Sequence, residues 1–143
     1  MKISAKSDYA IRAVAFLAAA DGARVKADEL AVEANIPKQF LENILAELRR
    51  AGIVRAHRGS DGGYELARAS KDIDLATVLA AVGSPLADGN DAVRDPSVVD
   101  DVWLALQSAT RGVLERVTLA DLVRGTLPST VRKLALAERE RDA

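Results

Sequence analysis

The chain has 143 residues, of which 49% are apolar and 29% charged, enough for one domain with a hydrophobic core. The formal net charge is −1, so overall charge marks neither a nucleic-acid binder nor a membrane-surface protein. Cysteine is absent and histidine occurs once, at His57. That excludes a disulfide framework, a thiolate-ligated zinc or iron–sulfur site, a cysteine nucleophile and a histidine metal cage built from one chain.

The amino-terminal run has early lysines and an apolar stretch, but Asp8 and Arg12 interrupt it, so it does not read as a signal peptide. No window approaches the roughly 20 apolar residues of a membrane span. A cytoplasmic protein with no membrane partner is expected. Ser4 or Ser7 can cap a first helix, in which Ala10, Ala13, Val14 and Leu17 recur at helical spacing before Asp21-Gly22. A short second helix fits Lys26 to Ala34, with Asp28 and Glu29 in its first turn and Leu30 and Ala31 on its buried side.

The third helix has the clearest signals. Pro37 suits its first position and Gly52 the position just past its end. Phe40, Leu41, Ile44, Leu45 and Leu48 form one apolar stripe; Lys38, Gln39, Glu42, Asn43, Ala46, Arg49 and Arg50 lie opposite. Two helices joined by the short connection from Ala34 to Pro37 outline a helix-turn-helix. Ile53–Arg58 and Tyr64-Glu65-Leu66 flank the loop Gly59-Ser60-Asp61-Gly62-Gly63 and read as a β-hairpin. Val54 and Ala56 share one face, Tyr64 and Leu66 another.

Asp74 can cap a helix from Leu75 to Val82, closed by Gly83. Ser84 to Asp95 reads as a flexible acidic loop. Asp88, Asn90 and Asp91 in it loosely resemble a calcium loop but lack the completing Glu. Asp95-Pro96 opens a long helix with Val99, Val102, Leu106, Ala109, Val113 and Val117 at spacings of three and four, and Trp103 and Leu114 beside them. Thr118 with Asp121 resembles a capping box for a short helix ended by Gly125. From Ser129 onward the chain forms one more helix or a frayed tail. Ser84, Ser97 and Ser108 read as cap or surface serines.

Charge is uneven. Arg49, Arg50, Arg55, His57 and Arg58 are uninterrupted by any acid, whereas Asp72 to Asp101 holds seven acids and one base. The contrast reads either as two solvated surface patches or as a basic contact surface in the first half with the acidic half turned away. A helix-turn-helix followed at once by a Gly-tipped hairpin is a winged helix. Its second helix fits the major groove, flanking arginines neutralise phosphates, and the wing tip approaches the minor groove. No catalytic constellation is present, since the single histidine belongs to this motif, so an enzyme is not expected.

The stretches SDYAIRAV, IPKQFLENILAELRRAGIV and RGSDGGYELAR resemble the Rrf-two family of winged-helix transcriptional regulators, the group that includes IscR, NsrR and CymR. The resemblance covers Met1 to about Val82 on motifs and the rest by layout. It implies a mainly α fold with a small β-hairpin: a winged helix-turn-helix domain at 1–83, the loop at 84–95, and a dimerisation helix and tail at 96–143. It implies a homodimer that binds a palindromic operator in double-stranded DNA; a repressor is expected, although the sign, repression or activation, depends on where the operator lies relative to the promoter. Gln39 and Glu42 fall where members contact bases, with Lys38 and Asn43 as neighbours. Arg58, Ser60 and Gly62 fall on the wing, and Arg49 and Arg50 would serve phosphates. Val99, Val102, Trp103, Leu106, Ala109, Val113 and Val117 would pair two copies. Sensor members hold a [2Fe–2S] cluster through three cysteines, and Ser84 to Val102 contains none here. No cofactor and no metal are therefore expected, and Asp8, where some members supply an acidic ligand, reads as a helix-dipole partner. The signal would then be a small-molecule effector or a partner protein. A regulatory subunit that docks a metabolic enzyme through the winged-helix scaffold is the other reading.

Overall fold

The computed structural model describes residues 2–87 and 96–143. The acidic-loop residues Asp88, Asn90 and Asp91 lie outside them. The elements run α1 (Ala5–Ala19), α2 (Ala27–Glu33), α3 (Lys38–Arg50), β1 (Val54–His57), β2 (Gly63–Leu66), a 3-10 turn (Ser70–Asp72), α4 (Leu75–Ala81), α5 (Val98–Arg116), α6 (Leu119–Arg124) and α7 (Ser129–Arg141). Mainly α with one antiparallel two-stranded sheet is the expected class.

Local chemistry sets the helix ends. Ser4 caps α1 by accepting from the Ser7 N–H at 3.1 Å, and Asp74 caps α4 by accepting from the Thr77 N–H at 2.7 Å. α2 stops on Asn35, at φ 53°, and the Ile36 N–H returns to the Ala31 carbonyl at 2.9 Å. α3 stops the same way: Gly52 takes φ 75° and the Ile53 N–H reaches the Leu48 carbonyl at 3.0 Å. Both are Schellman endings, in which a left-handed residue lets the next N–H satisfy an orphan carbonyl. They turn the chain sharply enough to fold α2 against α3 and to launch β1. Pro37, expected inside α3, instead stands just before it with extended backbone (ψ 130°).

One core joins these pieces. Ala10, Ala13, Val14 and Leu17 of α1 face Leu41, Ile44, Leu45 and Leu48 of α3, and Leu30, Ile36, Ile53, Ile73, Val78 and Leu119 close it. Leu119 belongs to α6, which packs on α1. The segment after α5 therefore returns to the core built by α1 and α3. A bridge pairs Asp74 with Thr118; the Leu75 N–H donates to Val117 and the Leu119 N–H to Ile73.

Three further expectations are corrected by the packing. Phe40 is 52% exposed rather than part of the buried stripe; it sits on the flank of α3, where its ring meets that of Tyr9 at 5.9 Å. Val54 pairs with Leu66 and Ala56 with Tyr64, so these four residues share one face of the hairpin rather than two. Ser84 is buried, not at the surface, and its hydroxyl takes the Ser7 hydroxyl at 2.8 Å, while Ser97 caps α5 as expected. The tail from Ser129 is helical, and Thr118 and Asp121 form the full capping box of α6.

Candidate nucleic-acid interface

The α3 stripe that faces the core fixes what the other side presents. With Leu41, Ile44, Leu45 and Leu48 buried, Lys38, Gln39, Glu42, Asn43, Arg49 and Arg50 are all turned to solvent. α1 braces this helix. Arg12 donates to the Ala34 carbonyl at 3.2 Å, pairs with Asp8 and lies 5.1 Å over the Tyr9 ring, which in turn meets Phe40. One α1 side chain thus touches the end of α2, and its ring partner touches the start of α3. Asp8 serves Arg12 in this brace as well as the helix dipole.

The wing is anchored by a pairing that the sequence pattern did not announce. Val25, just before α2, exchanges both backbone hydrogen bonds with Tyr64, at 2.9 and 2.7 Å. A Cβ on Gly63, at φ 134°, would stand 2.8 Å from the Val25 carbonyl oxygen, so this approach needs glycine. At the tip, Arg24 donates to the Asp61 carbonyl at 3.1 Å. Gly62 is buried, its N–H on the Gly59 carbonyl at 3.0 Å, whereas Arg58 and Ser60 are exposed. Gly62 therefore shapes the tip while its backbone lines the cleft beside Arg58.

The basic residues divide into groups. Arg49 and Arg58 meet across a cleft of about 400 Å³ between the start of α2, the end of α3 and the wing, together with Lys26, His57 and Tyr64. Among the described residues Lys26, Arg49 and Arg58 carry no ion pair, so their charges face outward. Arg50 lies on the other flank of α3, with Lys6, Asn43 and Phe40 around a second cleft of about 370 Å³. Arg55 is drawn back: Glu65, directly across the hairpin, lies 3.2 Å from it and 3.3 Å from His57 Nε2. Lys38 pairs with Asp28 at 2.7 Å. That hydrogen bond and the opposite charge raise the Lys38 ammonium above its ordinary value and lower the Asp28 carboxyl. Lys26 escaped the sequence reading; its signal was the Arg24-x-Lys26 alternation leading into α2.

The expected pairing residues also separate. Val99, Val102, Trp103 and Leu106 are 53–62% exposed, and Ala109 is exposed. Val113 is half-buried, and Val117 is buried at 3% because its backbone is tied to the start of α4. The free stripe therefore ends near Ala109.

A recognition-type helix with a solvent-facing polar row, a braced turn and a basic wing cleft define a winged-helix DNA-binding regulator. Residues 3–125 match the profile of the Rrf2 family, described as iron-dependent transcriptional regulators, and the chain belongs to that family. It is 47% identical over 147 residues to Rv1287 of Mycobacterium tuberculosis, provisionally named an HTH-type transcriptional regulator, covering 94% of this chain and 89% of that protein. It is 30% identical over 139 residues to the HTH-type transcriptional regulator IscR of Cereibacter sphaeroides, covering 89% and 90% of the two chains. Among solved structures it resembles T. potens IscR, with a TM-score of 0.77, 31% identity and coverage of 87% and 88%. It also resembles CymR, the global cysteine regulator of B. subtilis, with a TM-score of 0.76, 27% identity and coverage of 88% and 98%. The residues present do not fit a thiolate-held iron–sulfur cluster, since the chain has no cysteine to ligate one. No helix among the described residues is long and apolar enough to cross a membrane.

Proposed function

We propose that the protein is a cytoplasmic homodimeric repressor that reads a palindromic operator with two copies of α3. The observation that carries this reading is the outward row of Gln39, Glu42 and Asn43 beside the Arg49–Arg58 cleft. Gln presents a donor and an acceptor to adenine, and Glu accepts from a cytosine amino group. Lys26 and Arg49 meet phosphates along that cleft, while Arg58 and Ser60 enter the minor groove from the wing. Lys38 reaches the backbone once its pairing with Asp28 opens. Arg50 serves the opposite flank of α3.

Dimerisation follows from α5. None of its 19 residues is buried, although Val99, Val102, Trp103 and Leu106 lie on it. A contiguous apolar surface of this kind marks an interaction site. A two-fold pair of chains places half-sites about 34 Å apart, or a multiple of that. Operator occupancy is then modulated by a small-molecule effector or a partner protein that resets the spacing of the two α3 helices.

The test is titration of the purified protein into fluorescent DNA from upstream of its own gene, against a scrambled duplex, with sedimentation run in parallel. Tight, sequence-specific binding by a dimer supports the reading. A monomer that binds both duplexes equally overturns it.

A further inference from the structure

The carboxy-terminal helix α7 lies beyond the residues matched to the family and is nearly unsupported. Of its 13 residues only Val131 is buried, while Leu134 and Leu136 are 59% and 50% exposed. Isolated helices of this length are marginal in water, so an amphipathic helix of this kind draws its stability from packing. One of its faces carries Leu136 with Arg132 and Arg139, at spacings of four and three. With Leu127 and Ala135 these residues line an open cleft of about 290 Å³, which combines apolar side chains with two arginines.

The amino-terminal half of α5 is apolar over more of its circumference than one neighbouring helix can cover. Val99, Val102 and Leu106 make a single seam, at spacings of three and four. Leu104, 49% exposed, stands off that seam, and exposed Asp101 is its neighbour at a spacing of three. From Val98 to Thr110 the helix carries acids and no base; α7 carries Arg132, Lys133, Arg139 and Arg141 against Glu138 and Glu140.

We propose that α7 of one chain lies antiparallel across the amino-terminal half of α5 in a second copy, with Leu136 on Leu104 and Arg139 on Asp101. The two pairs have matching spacing: three residues toward the carboxyl end of α7, and three toward the amino end of α5. Only the antiparallel orientation brings both together. It also sets the basic last turn of α7 beside the acidic first turns of α5, and opposed helix dipoles side by side. This rests on the homodimer reading. It adds that the α5 seam joins the copies while the α7 arms clasp the flank that the seam leaves bare.

The absence of native cysteine makes the test clean. Leu104→Cys combined with Leu136→Cys, in the full chain under mild oxidant, should give a covalent dimer, and each single variant should give none; a disulfide requires Cα atoms within about 7 Å. Arg139→Glu should weaken dimerisation at least ten-fold by sedimentation equilibrium, with helicity by circular dichroism unchanged. Adding Asp101→Arg should restore it. A wild-type dimer that neither cross-links nor responds to Arg139→Glu overturns the α7 clasp and leaves the dimer reading standing. Loss of DNA affinity in Arg139→Glu at an unchanged dimer constant also overturns it, making α7 a DNA arm. A wild-type monomer overturns the dimer reading and the clasp together.

Discussion

Glu65 stands directly across the hairpin from Arg55, with 3.2 Å between carboxylate and guanidinium. Arg55 also donates to the Ala67 carbonyl at 3.3 Å, so its charge is held along the sheet rather than offered outward. Glu65→Gln should release it. DNA affinity at low salt should rise, and the dependence of log affinity on log salt should steepen by about one unit as Arg55 neutralises one more phosphate. An unchanged slope would mean that Arg55 lies out of reach of the backbone.

Gln39→Ala and Arg58→Ala should each cost about 1–3 kcal/mol in operator affinity if they touch bases. Arg49→Ala and Lys26→Ala should instead weaken all sequences alike and flatten the salt slope by about one unit each. Binding isotherms on operator and scrambled duplexes separate the two patterns. All of these positions lie at the surface, so melting temperatures should stay near wild type.

The capping box of α6 is a stability element. Asp121 is 8% exposed; its carboxylate accepts from the Thr118 N–H at 3.0 Å and pairs with Arg124, while Thr118 accepts from the Asp121 N–H at 3.2 Å. Thr118→Ala should cost about 1 kcal/mol. The backbone hydrogen bond from Thr118, more than Arg124, holds the Asp121 carboxyl below its ordinary value. A carboxyl depressed in the folded state stabilises fully above its unfolded pKa of about 3.9, and that contribution is lost as pH falls through the lower folded value. Acid unfolding of Asp121→Asn should accordingly be shallower than that of wild type in this range, measured by circular dichroism.

Gly63→Ala meets both a positive φ and the Val25 carbonyl at 2.8 Å. It should destabilise the protein by more than about 1 kcal/mol and loosen the wing. Hydrogen exchange at the Val25 and Tyr64 amides reads that loosening directly; protection equal to wild type would show that the wing can shift without breaking this bridge.

Deleting the buried Leu48 side chain beyond Cβ should cost about 2–5 kcal/mol, because α1 and α3 meet there and neither can close the gap alone. Urea unfolding of Leu48→Ala measures it.

Much of the architecture was legible in the sequence because its causes are local. The 3.6-residue rhythm of Leu41, Ile44, Leu45 and Leu48 sets which side of α3 is buried and so which polar row faces solvent. Ser4, Asp74 and Thr118 cap the very turns they precede, and Gly52 and Gly125 end helices through backbone conformations that other residues rarely adopt. The motifs around Tyr9, Pro37 and Gly62-Gly63-Tyr64 carried the family with them.

The tertiary structure decided what depends on partners far along the chain. Arg49, Arg50, Arg55 and Arg58 look equivalent in sequence, yet Glu65 claims Arg55, Lys26 joins Arg49 and Arg58, and Arg50 falls on the other flank. Val117 continues the stripe of α5 by spacing, but its backbone is tied to α4 and its side chain is buried. Ser84 looks like a surface serine until Ser7, 77 residues away, meets it at 2.8 Å. Periodicity and capping report a residue's neighbours within one turn. Charge pairing, burial and strand register depend on which surfaces the folded chain brings into contact, and those are fixed only when the core closes.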